Sequence, residues 1–429
     1  MRMTKFALAA AALAALLTFA ACGSTSSTSS GTTSNAAAAS APAAAPSSAS
    51  TVSGQPITVG FVCSCTGPLA TTIGRSEDVI QAWAKWTNAH GGLDGHPVKV
   101  IAIDDGQDPA KGLEAVKSLV QRDRVMAIVG QESLTSESWA KYISSTGVPV
   151  VGGQPVDTPF LTNPDFFVSG SNLLMNLFGQ VELAKQTGKR HLGLFYCAET
   201  PVCAQAPALI GALAKPMGIA VTSERVSSTA PSYIAPCLSL KQHGVDSVIV
   251  AMNSTIVPRV LDACAQQGYH PVNLASSATT ERSWTKDANL DGSLVAAANA
   301  DYTDQSVPGV KSFTDALNQY VPGLTGSSQY SWGYLDMWAG GELFAAAAKA
   351  AKLTPTSTPA DVKKGLYALR NETLDGLAPP LTYVPGRPGF PACYFQAKLT
   401  NGEFAPLGGD KPVCAPPAVI KQLAAALGG

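Results

Sequence analysis

Short apolar runs alternate with longer amphipathic stretches along most of this chain, and this alternation restricts the fold more than any other feature. Residues 57–63 are rich in β-branched side chains, and residues 77–90 follow with apolar side chains at helical spacing. Further predicted strands lie at 98–104, 125–129 and 148–151, with predicted helices at 110–121 and 136–145. Strands that alternate with helices in this way predict βα units, a parallel sheet and a Rossmann-like half.

The same pattern restarts near residue 172. Its predicted strands lie at 191–196, 220–224, 247–252, 272–276 and 293–297. Helical segments at 310–320, 330–352 and 359–368 follow, and a tail rich in Pro and Gly carries predicted short strands at 381–384, 393–399 and 403–407. We expect an α/β protein with a first lobe at 55–171, completed by about 300–375, and a second lobe at 172–299, completed by about 376–429. Several crossings between these Rossmann-like lobes would leave a central cleft at the carboxyl ends of both sheets.

The first 54 residues predict export. Arg2 and Lys5 precede an apolar run that ends at Cys22, so residues 1–21 read as a signal peptide. Small residues before a cysteine resemble the lipobox of bacterial lipoproteins, which implies lipidation of Cys22 and an extracytoplasmic, membrane-anchored protein. A plain secretory signal with an incidental Cys22 is the alternative. Residues 23–53 contain no charged or aromatic side chain, so we expect 22–54 to be a disordered linker behind the anchor.

Charge and cysteine content restrict the partners and the chemistry. A net charge of -1 does not attract nucleic acid, and no later segment is apolar enough to span a bilayer. Nine cysteines in an exported chain favour disulfides. The pairs favoured by position are Cys197–Cys203, Cys237–Cys264 and Cys393–Cys414, which leaves Cys63–Cys65 as a tight ring or as two free thiols. None of the five histidines lies at ligand spacing from a cysteine pair, so we expect neither a metal nor a cofactor.

Several stretches resemble one family in order along the chain. They are residues 66–69, Gly74, residues 86–98 with the sequence WTNAHGGLDGHPV, residues 104–109 with DDGQDP, residues 147–150 with GVPV, and the late segment 333–336 with GYLD. Together they resemble type I periplasmic binding proteins, in particular the branched-chain amino acid branch that serves ABC transporters. The resemblance implies a monomeric protein whose two lobes close on a small solute by a hinge motion and deliver it to an ABC permease and ATPase.

That family binds its ligand on loops after the strands, which implies a set of candidate residues here. In the first lobe they are Thr72, Gln131, Ser133, Thr135, Gln154 and Asp157. In the second lobe they are Glu199, Asn253, Ser277 and Glu281. Ser133 and Thr135 precede a helix and would either hold an anionic group or cap that helix.

Two departures from the family pattern argue against a branched-chain amino acid as the solute. Pro155 falls where a backbone N–H donor is wanted, and Asp157 falls where a hydroxyl would receive a carboxylate. A polar amino-acid-like or amide-like solute, neutral or cationic, suits Asp157, Gln131 and Gln154 better. We therefore expect a solute-binding component of an uptake system with an unidentified polar solute.

Catalysis is not expected. The sequence has no nucleophile elbow of the Gly-x-Ser-x-Gly type, no dinucleotide-binding glycine motif and no phosphate-binding loop. The adjacent carboxylates Asp104 and Asp105 would point to opposite faces of a strand end and so would not form a catalytic pair. The alternative function is a ligand-sensing receptor of a signalling system built on the same scaffold.

Overall fold

The computed structural model describes residues 52–67, 73–154, 156–198 and 204–426. Cys22, Thr72, Pro155, Glu199 and Cys203 lie outside the described residues, and so do the predicted signal peptide and nearly all of the predicted linker. Within the described ranges no helix is both long and apolar enough to cross a membrane.

Five short apolar segments form the first sheet. They are β1 (Ile57–Cys63), β2 (Val98–Asp104), β3 (Ile128–Gln131), β4 (Val150–Gly153) and β5 (Phe166–Phe167). All pairings are parallel, in the order β2-β1-β3-β4-β5. The order of the strands reverses between β1 and β3, so a crevice opens where the carboxyl ends of these two strands diverge.

The helices of the first lobe are α1 (Ser76–Ala89), α2 (Pro109–Lys117), α3 (Ser136–Thr146) and the single turn α4 (Pro159–Thr162). Asp108 caps α2 by accepting the backbone N–H groups of Ala110 and Lys111, and Pro109 occupies the first turn, as its fixed φ favours. The predicted helix 110–121 instead ends at Lys117 and continues as a π-helical turn, Ser118–Arg122.

The second sheet has eight strands. They are β6 (His191–Cys197), β7 (Ala220–Val226), β8 (Ser247–Ala251), β9 (Val272–Ser276), β10 (Leu294–Ala297), β11 (Cys393–Thr400), β12 (Glu403–Pro406) and β13 (Val413–Cys414). Strands β6 to β10 are parallel in the order β7-β6-β8-β9-β10, which repeats the order of the first sheet. The late strand β11 adds antiparallel to β10, and β12 and β13 pair with β11.

The helices of the second lobe are α5 (Leu173–Gln186), α6 (Ala206–Ala214), α7 (Ile234–Gln242) and α8 (Ile256–Ala265), with short 3-10 turns at Ser277–Thr279, Arg282–Lys286 and Ala288–Leu290. Helix α5 packs on β9, β10 and β11. The last helix, α12 (Pro417–Ala426), brings Leu423 into the apolar core of this lobe.

Three helices return to the first lobe after the second sheet has begun. They are α9 (Pro308–Tyr320), α10 (Trp332–Ala351) and α11 (Pro359–Ala368). Helix α10 packs on β3, β4 and α1, α9 packs on α1, and α11 packs on α10. The two sheets with their helices thus form the two α/β lobes that the sequence predicts.

Three crossings connect the lobes side by side. The backbone N–H of Ser171 donates to the carbonyl of Ala298 at 2.9 Å, and the amide of Asn299 donates to the carbonyl of Ser169 at 2.9 Å. The N–H of Ala300 donates to the carbonyl of Leu377 at 2.8 Å. These hydrogen bonds join the three crossing segments to one another. The lobes are therefore connected by one narrow, hydrogen-bonded bridge.

Some expected elements differ from those observed. The strand expected at 381–384 is absent, since Leu381 forms only an isolated bridge with Glu372. Pro379, Pro380 and Pro385 flank that segment and lack the N–H donors that a ladder needs. The third strand begins at Ile128 rather than at Val125. Helix α4 and strands β5 and β13 were not expected, because elements of two to four residues carry too little periodicity to be recognised.

Three disulfides join described cysteines, in the pairs expected. They are Cys63–Cys65, Cys237–Cys264 and Cys393–Cys414. The first closes a ring at the carboxyl end of β1, the second links α7 to α8, and the third links β11 to β13. The expected Cys197–Cys203 pair involves Cys203, which lies outside the described residues.

Candidate functional site

Asp105 is the centre of a buried hydrogen-bond network at the carboxyl edge of the first sheet. Its carboxylate accepts the hydroxyl of Ser64 at 2.7 Å, that of Ser133 at 2.5 Å and that of Thr135 at 2.9 Å, together with the backbone N–H of Gln107 at 2.9 Å. The network joins the ends of β1, β2 and β3. Ser133 and Thr135, two of the residues predicted to bind ligand, therefore direct their hydroxyls at Asp105.

Gln131 and Asp157 form a second polar link at the same edge. The side-chain oxygen of Gln131 accepts the backbone N–H of Ser133 at 2.8 Å, and its amide nitrogen donates to Asp157 Oδ2 at 2.8 Å. Burial raises the pKa of Asp157 to about 7, although the donated hydrogen bonds from Gln131 and Ser136 act in the opposite direction. Two predicted site residues are thus brought together, and Asp157 can change its charge near neutral pH.

Glu132, Gln154 and Asp336 form a third group, which we call the acceptor pocket. Gln154 donates its amide nitrogen to Glu132 Oε1. Burial raises the pKa of Glu132 well above its usual range, and the neighbouring carboxylates of Asp336 and Asp157 raise it further. Burial also raises the pKa of Asp336. Of these three residues the sequence singled out only Gln154 as a ligand contact.

Sequence signals for the other two residues were present but weak. Glu132 lies between Gln131 and Ser133 in the loop that was expected to bind ligand. Asp336 lies in the GYLD segment, where it marked only a family likeness. Asp336 approaches Glu132 because α10, some 200 residues after β3 in the chain, packs across β3 and β4. No local sequence pattern indicates a contact of this kind.

The second lobe contributes a carboxylate held by two hydroxyls. Ser254 donates to Glu281 Oε2 at 2.9 Å, and Ser283 donates to the other carboxylate oxygen at 2.5 Å. The indole of Trp284 donates to the carbonyl of Ser254 at 3.0 Å, which fixes the loop after β8 against the loop after β9. Glu281, a predicted site residue, is therefore well positioned at the carboxyl edge of the second sheet.

The other two described candidates of the second lobe have different environments. Ser277 is buried, and its hydroxyl oxygen accepts the backbone N–H of Ala298 at 3.2 Å, next to the crossings between the lobes. Asn253 is exposed after the end of β8, and its carbonyl accepts the N–H of Ile256 at the start of α8. Glu199 lies outside the described residues, as Thr72 does in the first lobe.

Both edges meet at the start of α10. The turn Ser277–Thr279 of the second lobe contacts α10, and the indole of Trp332 on that helix donates to the carbonyl of Ala300 in a crossing at 2.8 Å. Asp336 is one turn further along the same helix. Polar groups from the strand ends of both lobes thus lie around one helix beside the bridge between the lobes, which is where open α/β sheets bind small ligands.

Among the residues the structure describes, no group of three or more His, Cys, Asp or Glu side chains could hold a metal ion. Asp105, Asp157 and Glu281 instead accept hydrogen bonds from hydroxyls and amides. This donor set suits hydrogen bonding to an organic solute.

Comparison with known proteins agrees with this architecture. The sequence model of the periplasmic binding protein family matches residues 56–403. No curated protein sequence matches the chain.

Solved structures share the fold at low sequence identity. A branched-chain amino acid ABC transporter protein from Thermus thermophilus with bound valine superposes with a TM-score of 0.74 at 14% identity, covering 86% of this chain and 98% of that one. An extracellular ligand-binding receptor from Verminephrobacter eiseniae has a TM-score of 0.70 at 18% identity, covering 82% and 99%. A fatty acid ABC transporter substrate-binding protein from Thermomonospora curvata has a TM-score of 0.69 at 17% identity, covering 87% and 95%.

Proposed function

The chain belongs to the periplasmic binding protein family, and from this premise we propose that it is the extracytoplasmic substrate-binding component of an ABC-type uptake system. Members of this family bind solutes and are not enzymes. The proposed solute is a small polar molecule of amino-acid or amide type, captured between the lobes by hinge closure. The observation that carries the proposal is the convergence of polar strand ends from both lobes around the start of α10.

The polar character of the proposed solute rests on the charges at this edge. Glu132, Asp157 and Asp336 lie on the first lobe and Glu281 on the second, and neither an arginine nor a lysine forms an ion pair with any of them in the described part of the chain. A solute that placed a carboxylate against these residues would meet acidic groups on both lobes. A neutral amide or an amine would instead offer the N–H donors that carboxylates accept.

A thermal-shift screen of the full-length chain tests the proposal. Compounds that bind only the folded state raise its stability by mass action, by about 2.7 kcal/mol at a hundred times their Kd. The panel contains amino acids, primary amides, polyamines, aromatic acids and urea-like compounds. We expect at least one amino-acid-like or amide-like compound to raise the melting temperature in a saturable, concentration-dependent way. A panel without any stabilising compound would contradict the proposal.

Matched variants locate the binding. Glu281→Gln removes a charge at the carboxyl edge of the second sheet, and Glu403→Gln removes one from the exposed start of β12. We expect the first variant to weaken the thermal shift and the second to leave it unchanged. Equal shifts in both variants would place the binding elsewhere.

Membrane attachment through Cys22 and delivery to a permease are further parts of the proposal. Lipid chains on Cys22 would retain the protein in the membrane fraction, and Cys22→Ser would release it into the soluble extracytoplasmic fraction. Cells that lack the protein should lose uptake of the stabilising compound and regain it on complementation. Normal uptake without the protein would instead favour a sensing role.

A further inference from the structure

The acceptor pocket contains buried hydrogen-bond acceptors that lack donors. Glu132 and Asp336 are each 1% exposed and Gln154 is 7% exposed. Glu132 Oε2, Gln154 Oε1 and both carboxylate oxygens of Asp336 have no hydrogen-bond partner. Buried polar atoms are nearly always paired, and each unpaired one is unfavourable because it has lost its hydrogen bonds to water. The acceptor pocket thus contains four unpaired acceptor atoms, which come from three separate elements of the fold.

The acidic groups of the pocket also favour a ligand that donates hydrogen bonds and carries positive charge. The neighbouring Asp336 disfavours ionisation of Glu132, and neither residue takes part in an ion pair in the described part of the chain. Arg75, at the start of α1, is bound to Asp78 instead. Within the described ranges the two carboxyl groups therefore lie together without a paired Lys or Arg.

A metal ion does not fit this arrangement. Calcium and magnesium take six or more oxygen ligands, and the described residues offer no cluster of three metal-binding side chains here. An ammonium group carries three N–H donors and a guanidinium five, so either group can donate to several of the four unpaired acceptors at once. The pocket thus suits an organic cation.

We propose that the acceptor pocket formed by Glu132, Gln154 and Asp336 binds the cationic head group, an alkylammonium or a guanidinium, of the transported solute. This inference rests on the proposed function and narrows the class of its solute. The pocket lies at the carboxyl ends of β3 and β4, and its third wall is the helix that the turn Ser277–Thr279 of the second lobe contacts. A solute held there by its head group would extend toward Glu281 and the second lobe as the lobes close.

Matched probes and matched variants test the inference on the full-length chain. The probes are 1,4-diaminobutane and 4-guanidinobutylamine, compared with 1,4-butanediol and succinate of the same chain length. The variants Glu132→Gln and Asp336→Asn remove one charge each with little change of shape. Glu342→Gln is the control. Glu342 is a half-buried acid on α10, as Asp336 is, but it lines a separate cavity of about 940 Å³ together with Trp86 and Asp375.

We expect the diamine or the guanidino compound to raise the melting temperature while the diol and the diacid do not. Titration calorimetry should show affinity at least tenfold weaker in Glu132→Gln and in Asp336→Asn, and unchanged in Glu342→Gln. A bound cation lowers the pKa values that burial raises in Glu132 and Asp336, so the wild-type chain should also release protons on binding, as measured in two buffers of different ionisation enthalpy. That readout needs no variant and holds if a substituted chain fails to fold.

The possible outcomes distinguish a failure of this inference from a failure of the proposed function. If only neutral or anionic compounds of the wider panel stabilise the chain, the cationic head group is wrong and solute binding stands. Cation binding that is equal in Glu132→Gln and in Glu342→Gln would also overturn the assignment of the pocket. If no compound of either panel binds, both the inference and the proposed function fall.

Discussion

A Cβ atom built on Gly152 would lie 2.2 Å from the Cα of Gly340, so strand β4 and helix α10 touch backbone to backbone. A Cβ on Gly340 would in turn lie 2.8 Å from the Cα of Gly130 on β3. This close approach allows α10 to lie across two strands and carries Asp336 to Glu132. The glycines thus determine where Asp336 lies relative to Glu132.

Gly152→Ala should therefore be strongly destabilising. The new methyl group would force α10 away from the sheet, and Gly152 also has a φ of +67°, which side chains rarely adopt. We expect a loss of about 2–4 kcal/mol in the free energy of unfolding, measured by urea denaturation. Gly211→Ala is the control, because nothing lies within 4 Å of that position in helix α6 and alanine favours a helix by about 1 kcal/mol. A small effect of the first substitution would mean that the helix yields easily.

Asp105→Asn should destabilise the chain far more than Asp104→Asn. The buried Asp105 accepts three hydroxyls and one N–H, and an asparagine would turn one acceptor into a donor facing other donors. We expect a cost of about 2–4 kcal/mol for Asp105→Asn and less than about 1 kcal/mol for the exposed Asp104, compared by urea denaturation. Equal costs would show that the hydroxyls reorient around the amide.

Asp157→Asn should change how stability depends on pH. Burial raises the pKa of Asp157 to about 7 from an ordinary value of 3.8, so the folded chain holds a proton that the unfolded chain releases. Between these values a rising pH favours the unfolded state, so the contribution of Asp157 to stability falls from about pH 4 to about pH 7 and is level above. The unfolding free energy of the wild type minus that of the variant should follow this course. A difference independent of pH would contradict it.

Removing the Cys393–Cys414 disulfide by double alanine substitution should cost about 3 kcal/mol. The bond closes a segment with a sequence separation of 21, and the entropy of the unfolded chain rises when that closure is lost. The Cys63–Cys65 ring has a separation of only 2, and the same relation gives about 1.5 kcal/mol for its loss. Calorimetric melting of both double variants compares them. The reverse order would indicate that the small ring fixes the end of β1.

The sequence predicted more of the fold than of the site. Apolar runs located β1 and β6 to within a residue, because buried parallel strands need continuous apolar segments. The edge strand β2 was also located, although it is only partly buried. The predicted start of α2 at residue 110 lies one residue from the observed start at Pro109, since the cap supplied by Asp108 depends on neighbours in sequence. The prediction of a strand at 381–384 was wrong, because the flanking prolines lack the N–H donors that would extend the single bridge between Leu381 and Glu372 into a ladder.

Ser133 illustrates why the candidate site was harder to predict. Its type and position suggested a ligand donor, but whether its hydroxyl faces a ligand or Asp105 depends on a side chain 28 residues away. The hydroxyl of Thr135 likewise donates to Asp105, and the amide of Gln131 donates to Asp157, rather than to a ligand. Hydroxyl and amide side chains turn toward the nearest unpaired partner, and only the folded chain decides which partner that is.

By itself the sequence predicted the two α/β lobes, because apolar periodicity acts over a few residues, and the stretches that resemble one family indicated the family. Tertiary structure decided the contents of the acceptor pocket. Glu132 and Asp336 are some 200 residues apart in sequence, and they face each other only because Gly130, Gly152 and Gly340 let a late helix rest on an early sheet. The backbone of α10 packs directly on the backbones of β3 and β4, and this contact brings the carboxyl groups of Glu132 and Asp336 together. No local sequence pattern encodes such a contact.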